Sequence, residues 1–219
     1  MLLCCLASVF SVLPACPSSL LVFIIFYHLL GAVLEDLYQR TNGNIAIVTG
    51  RPRKDCEAFL KRFELSSFVK HCVCMEDCIT VGDDGEEVKL FKPDKFPCLE
   101  ALRLLGVSPS EYDAAAIVGD TPDDIVSGRE AGIRSIGVLV PGDGGEGSKI
   151  KEAMLKEGAE VVLVAGLADL PGMVSDQSQK LEFDDSWMTE TNPKNNSIGE
   201  ETVDEVLLEE IAKREEKYS

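Results

Sequence analysis

The stretch that most constrains the fold is Ile117-Val118-Gly119-Asp120-Thr121-Pro122-Asp123-Asp124-Ile125. Ala114 to Val118 is a short apolar run closed by a glycine, the pattern of a parallel strand covered on both faces. The carboxylates Asp120, Asp123 and Asp124 follow within one short loop. Ligands of open α/β sheets sit beyond the carboxyl ends of the strands, where this loop would lie. Crowded carboxylates repel one another unless they share a cation, and hard oxygen ligands suit Mg²⁺. The alternative is a solvated acidic turn that caps a helix, with Asp123 as N-cap.

Two upstream stretches bear on that choice. Ile45-Ala46-Ile47-Val48-Thr49-Gly50 is a second apolar strand, ending in a hydroxyl and a glycine. Leu90-Phe91-Lys92-Pro93-Asp94 places a lysine just before a predicted helix, Phe96 to Leu105. A hydroxyl, a lysine and a carboxylate loop, in that chain order at strand ends, resemble the haloacid-dehalogenase-like hydrolases. Thr49 matches the family's second motif, Lys92 the third, and Asp120 with Asp124 the fourth. The string Asp124-Ile125-Val126-Ser127-Gly128-Arg129-Glu130-Ala131-Gly132, followed by Ile136-Gly137-Val138, is similar to the phosphoglycolate-phosphatase-like branch. The resemblance runs over about residues 33 to 172, with several motifs agreeing in order and spacing.

The resemblance implies a three-layer, Rossmann-like parallel sheet. It also implies Mg²⁺-dependent hydrolysis of phosphate monoesters of small metabolites through an aspartyl-phosphate. Thr49, Gly50 and Lys92 would hold the phosphate, and Lys92 would also pair with the nucleophile. Asp120 would ligate Mg²⁺, Asp124 would ligate it or order its shell, and Asp123 stands where the family often has a polar residue.

The family's first motif is not matched. It supplies nucleophile and general acid/base as two aspartates, Asp-x-Asp, at the end of the first strand. Before Thr49 this sequence has one aspartate, Asp36, in a helical pattern with Val33, Leu34, Leu37 and Tyr38. The first strand is therefore expected to be missing or replaced, leaving apolar edges on its neighbours, and most of the cap is missing as well. The chain is expected to be inactive, or a shortened form of an active protein. A non-catalytic phosphate- or Mg²⁺-binding protein, or a membrane-tethered interaction protein, is the alternative.

Residues 1–32 form an apolar segment without Asp, Glu, Lys or Arg. Residues 18 to 37 nearly supply the ~20 apolar residues of a spanning helix. A cleaved signal is not expected, because no basic residue precedes the run and no small-residue cleavage site follows it. Other readings are a non-native start, or Val22 to Phe26 standing in for the first strand. The haloacid-dehalogenase-like core is expected over 33–174, a polar linker over 175–200, and an amphipathic helix over 201–219.

Within the core the expected strands lie near residues 45, 70, 116, 136 and 162, alternating with helices. A net charge of −17 excludes nucleic-acid backbone binding as a working hypothesis. Of eight cysteines, Cys72, Cys74 and Cys78 beside His71 invite a metal reading. The spacing is not that of a zinc site, so small core residues are the expectation. A disulfide framework is not expected in an α/β chain of this size, so reduced thiols and a cytosol-facing domain are. Arg51 and Arg53 are read as solvated loop residues rather than substrate contacts.

Overall fold

The computed structural model describes residues 2–4, 30–82, 85–139, 147–164 and 166–174. Six parallel strands form the main sheet: β1 (Leu2–Cys4), β2 (Ile45–Val48), β3 (His71–Val73), β6 (Ala116–Gly119), β7 (Arg134–Val138) and β8 (Val161–Leu163). Their order is β3-β2-β1-β6-β7-β8. A separate antiparallel hairpin, β4 (Ile79–Val81) with β5 (Glu87–Lys89), leads from the β3 edge towards Lys92. The helices are α1 (residues 30–40), α2 (Arg53–Arg62), α3 (Phe96–Leu105), α4 (Pro122–Ala131) and α5 (Gly147–Glu157). A 3₁₀ segment, Gly166–Met173, closes the described core.

The period-2 geometry of strands sorts the core into two faces. Ile45, Ile47, Ala116, Val118, Ile136 and Val138 face α1, α2 and the 3₁₀ segment, through Leu34, Leu37, Cys56, Leu60 and Leu170. Ala46, Val48 and Ile117 face α3, through Cys98, Ala101 and Leu102. Ile125 of α4, Met154 of α5 and Val162 form a smaller cluster. Both faces being covered explains why these strands read as continuous apolar runs. Each fully buried Leu or Ile contributes roughly 1.5–3 kcal/mol through burial.

The five expected strands are all present, and the three-layer α/β architecture is the one the sequence implied. The first strand departs from expectation. The slot is held by Leu2–Cys4, paired in parallel with β2 (Leu3 opposite Ala46) and with β6 (Leu3 opposite Ile117). The edges of β2 and β6 are therefore paired, not exposed, and the slot considered for Val22 to Phe26 is taken. Those residues, the polar linker and the terminal helix lie outside the described residues.

The spanning-helix reading of residues 18–37 also needs correction. Residues 30–37 belong to α1, which buries Leu30, Val33, Leu34 and Leu37 against the sheet. Among the described residues no helix is long and apolar enough to cross a membrane. The β4–β5 hairpin was not anticipated. Its strands are only three residues long, and β5, Glu87-Val88-Lys89, carries a charge at either end, so the apolar pattern is weak. Gly85 and Glu86, both exposed, precede β5.

Close helix–sheet contact sets one glycine requirement. A Cβ on Gly128 of α4 would lie 2.3 Å from Ile117 Cγ2 and 2.6 Å from Ser135 Oγ. Gly128→Ala is expected to destabilise by about 1–3 kcal/mol through overpacking. A urea midpoint unchanged from wild type would show that α4 can move off β6 freely.

Candidate functional site

The carboxyl ends of β2 and β6 flank β1. Cys4, the last residue of β1, is level with Ile47 on one side and Val118 on the other. Thr49 and Asp120 each lie two residues further along, so they stand on the two sides of the path leaving β1. Both are buried, at 2% and 9% exposure. The sequence that leaves β1 is Cys5-Leu6-Ala7-Ser8, which contains no carboxylate.

Thr49 is fixed from both directions. Its backbone N–H donates to Val73 O at 2.9 Å, and its Oγ1 accepts from Arg51 N at 3.2 Å. With that lone pair engaged, the hydroxyl proton is available for an acceptor. Gly50 is exposed beside it. Arg53 turns away, pairing with Asp77 and donating to Cys72 O at 3.3 Å.

Lys92 reaches across to the acidic loop. Its Nζ lies 2.5 Å from Asp124 Oδ1 and 3.4 Å from Val48 O. Asp124 is fully buried. Its Oδ2 accepts from Asp120 N at 3.1 Å, Thr121 N at 3.0 Å and Thr121 Oγ1 at 2.8 Å. These three donors satisfy Oδ2 and fix the side chain in place. Asp124 therefore clamps the loop and orients Lys92. Gly119 makes room for it, since a Cβ there would sit 2.1 Å from Asp124 Cβ.

The helix cap is not the expected one. Thr121 is the N-cap of α4, with Pro122 at N1 and Asp124 closing a capping box, while Asp123 is exposed. The signal was legible as Thr-x-x-Asp followed by an apolar residue, a carboxylate variant of the usual capping box. Sequence reasoning also missed Ser127, buried in α4, whose hydroxyl donates to Asp94 O at 2.7 Å and ties down the Lys92 loop. Asp94 Oδ1 in turn accepts from Phe96 N at 2.7 Å, where α3 begins.

The fit to a divalent cation is incomplete. Both oxygens of Asp124 are engaged by protein donors, and Asp120 is the buried carboxylate beside it. Among the described residues no three His, Cys, Asp or Glu side chains gather to hold a metal ion, at the acidic loop or around Cys72, Cys74, Cys78 and His71. Cys74 and Cys78 are buried and Cys72 is half-buried. Asp36, the one aspartate before Thr49, is on α1 and pairs with Arg40 at 2.7 Å. Because α1 runs down to the start of β2, Asp36 lies towards the opposite end of the sheet from Thr49.

A parallel sheet with a buried hydroxyl, a lysine and a carboxylate loop at its carboxyl end belongs to the class of open α/β folds whose ligands sit beyond the strand ends. The chain belongs to the haloacid dehalogenase-like hydrolase family, whose model matches residues 24–138. It is 37% identical over 148 residues to an imidazoleglycerol-phosphate dehydratase of Phytophthora nicotianae, covering 65% of this chain and 30% of that protein. It is 37% identical over 94 residues to the pyrophosphatase PpaX of Bacillus cereus, covering 43% of this chain and 38% of that one. The chain thus spans well under half the length of these curated relatives. Among solved structures, a conserved haloacid dehalogenase-like protein of unknown function from Agrobacterium tumefaciens aligns with a TM-score of 0.46 and 22% identity. That alignment covers 58% of this chain and 52% of the other.

Proposed function

We propose that this chain recognises a phosphate group on a small phosphorylated compound and does not itself carry out the covalent step of phosphate-ester hydrolysis. The observation that carries this reading is the pairing of two features at one place. Thr49 and Asp120 flank the exit from β1, with Lys92 beside them, yet the sequence at that exit offers no carboxylate. The Thr49 hydroxyl would donate to a phosphate oxygen. Lys92, held by Asp124 and Val48 O, would supply positive charge to it. Neither group can form an aspartyl-phosphate, so binding is retained and turnover is not.

In this family Mg²⁺ stabilises charge on the transferring phosphate. The described residues of this chain offer Asp120 for that ion and little more, so weak binding is expected and no step is assigned to it. The similarity of residues 124–138 to the phosphoglycolate-phosphatase-like branch favours a phosphate monoester ligand. The pyrophosphatase relative adds phosphoric anhydrides as a second candidate class.

The test is phosphate release from an aryl phosphate, a two-carbon phosphomonoester and pyrophosphate, with Mg²⁺, beside Asp120→Asn. Release at background is expected for both proteins. Turnover that disappears in Asp120→Asn would overturn the non-catalytic reading. Binding is read separately: pyrophosphate should raise the melting temperature of the wild type, as any native-state ligand does. Thr49→Val should reduce that rise. No rise at millimolar pyrophosphate would overturn phosphate recognition.

A further inference from the structure

α4 holds the Lys92 loop at two points. Asp124 and Ser127 are three residues apart on this helix, so their side chains share one face. The Lys92 ammonium donates to Asp124 Oδ1 at 2.5 Å. The Ser127 hydroxyl donates to the backbone carbonyl of Asp94 at 2.7 Å. Asp124 and Ser127 are both fully buried. The helix has little room to shift, since a Cβ on Gly128 would meet Ile117 at 2.3 Å and one on Gly119 would meet Asp124 at 2.1 Å.

A buried serine inside a helix ordinarily returns its hydroxyl to a carbonyl of the preceding turn. Ser127 reaches off its own helix instead, to a carbonyl 33 residues earlier in the chain. Its one hydroxyl proton is given to Asp94, so its oxygen accepts from Cys98 Sγ of α3 at 3.1 Å. The loop it grips contains Pro93, which has no N–H to anchor the turn. Asp94 anchors the turn with three groups. Its N–H donates to Phe91 O at 2.8 Å, its Oδ1 accepts from Phe96 N at 2.7 Å, and its carbonyl accepts from Ser127. The first two bonds stay within the loop and the start of α3. The third ties the loop to the helix that also carries Asp124.

We propose that Ser127 is a positioning residue for Lys92: its bond to Asp94 O fixes the backbone from which the ammonium reaches Asp124 and Val48 O. Cys98 contributes through Ser127. The effect on a ligand rests on the phosphate-recognition reading above. A positive charge already held in place needs no ordering when the anion arrives. A slack loop would have to be ordered by the ligand, which lowers affinity.

The first readout needs no ligand. The full chain is treated briefly with formaldehyde and cyanoborohydride, and methylation of each lysine is followed by tandem mass spectrometry. Lys92, with its side chain 12% exposed and paired, should be protected relative to the exposed Lys61 and Lys89. In Ser127→Ala it should be methylated several times faster, with Lys61 and Lys89 unchanged. Cys98→Ala disturbs the same contact but keeps the Ser127–Asp94 bond, and should leave Lys92 protected. Ser127→Cys keeps the side chain's size with a weaker donor and should fall between, so the comparison stands even if Ser127→Ala fails to fold. Equal protection of Lys92 in wild type and in the Ser127 variants would overturn the proposal. Methylation that rises alike at all three lysines would overturn it too, because that marks general loosening. The second readout is pyrophosphate affinity by calorimetry. The dissociation constant should rise roughly threefold to tenfold in Ser127→Ala, the worth of one hydrogen bond. An unchanged constant would overturn the link from loop to ligand. A wild type that binds no pyrophosphate would sink phosphate recognition instead, and the methylation pattern would still decide the role of Ser127.

Discussion

Lys92→Met should lower the stability of the fold by about 3–5 kcal/mol, the usual result of removing one partner of a buried ion pair. The pair is Lys92 Nζ with Asp124 Oδ1 at 2.5 Å, with side-chain exposures of 12% and 0%. Loss of the ammonium leaves a buried carboxylate facing a thioether. The three hydrogen bonds to Oδ2 remain, which puts the effect towards the lower end of the range. Against a total of about 5–15 kcal/mol, this is a large fraction. Asp124→Asn added to Lys92→Met removes the orphaned charge while leaving an oxygen for the Asp120 and Thr121 donors. The double variant should therefore be more stable than Lys92→Met alone, by roughly 1–2 kcal/mol. Urea unfolding of the three proteins checks this. A single variant as stable as wild type would mean that the pair contributes nothing.

The same residues show what the sequence could and could not reveal. The hydroxyl, lysine and carboxylate loop were legible because each closes a short apolar strand or opens a helix, and such boundaries are set locally. Ile45–Val48 and Phe96–Leu105 appear at the bounds expected for them. The division of labour within the loop was not legible. Asp124 looks like a ligand in sequence, and only the fold shows both its oxygens taken by Lys92 and by the Thr121 and Asp120 donors. The first strand was missed for a different reason. Leu2–Cys4 is three residues long, too short for periodicity to separate it from the apolar run that follows. Its identity as a strand comes from β2 and β6, which between them present two unpaired edges across one strand's width.

That dependence runs both ways, and it gives the other large effect. Removing residues 1–29 should abolish cooperative folding of the remaining chain. Without β1 the sheet divides into β3–β2 and β6–β7–β8, and two interior edges lose the partner with which Leu2, Leu3 and Cys4 pair. Those edges belong to strands whose side chains are buried on both faces: Ile45, Ala46, Ile47 and Val48 on one side, Ala116, Ile117 and Val118 on the other. Exposed edges of this kind template association between chains. Leu3→Pro, read against Leu3→Ala, is the finer probe, since the difference between them reports the backbone. Proline removes the N–H of a central strand residue and bars it from an interior ladder. The expected destabilisation is about 3 kcal/mol or more. Leu3→Ala keeps the N–H and should retain cooperative unfolding. Circular dichroism melts with light scattering distinguish the outcomes: a broad transition with aggregation for the deletion, and a lowered melt for Leu3→Pro. A sharp melt of residues 30–219 near the wild-type temperature would refute the place given to β1. Some other segment would then have to close the gap between Thr49 and Asp120.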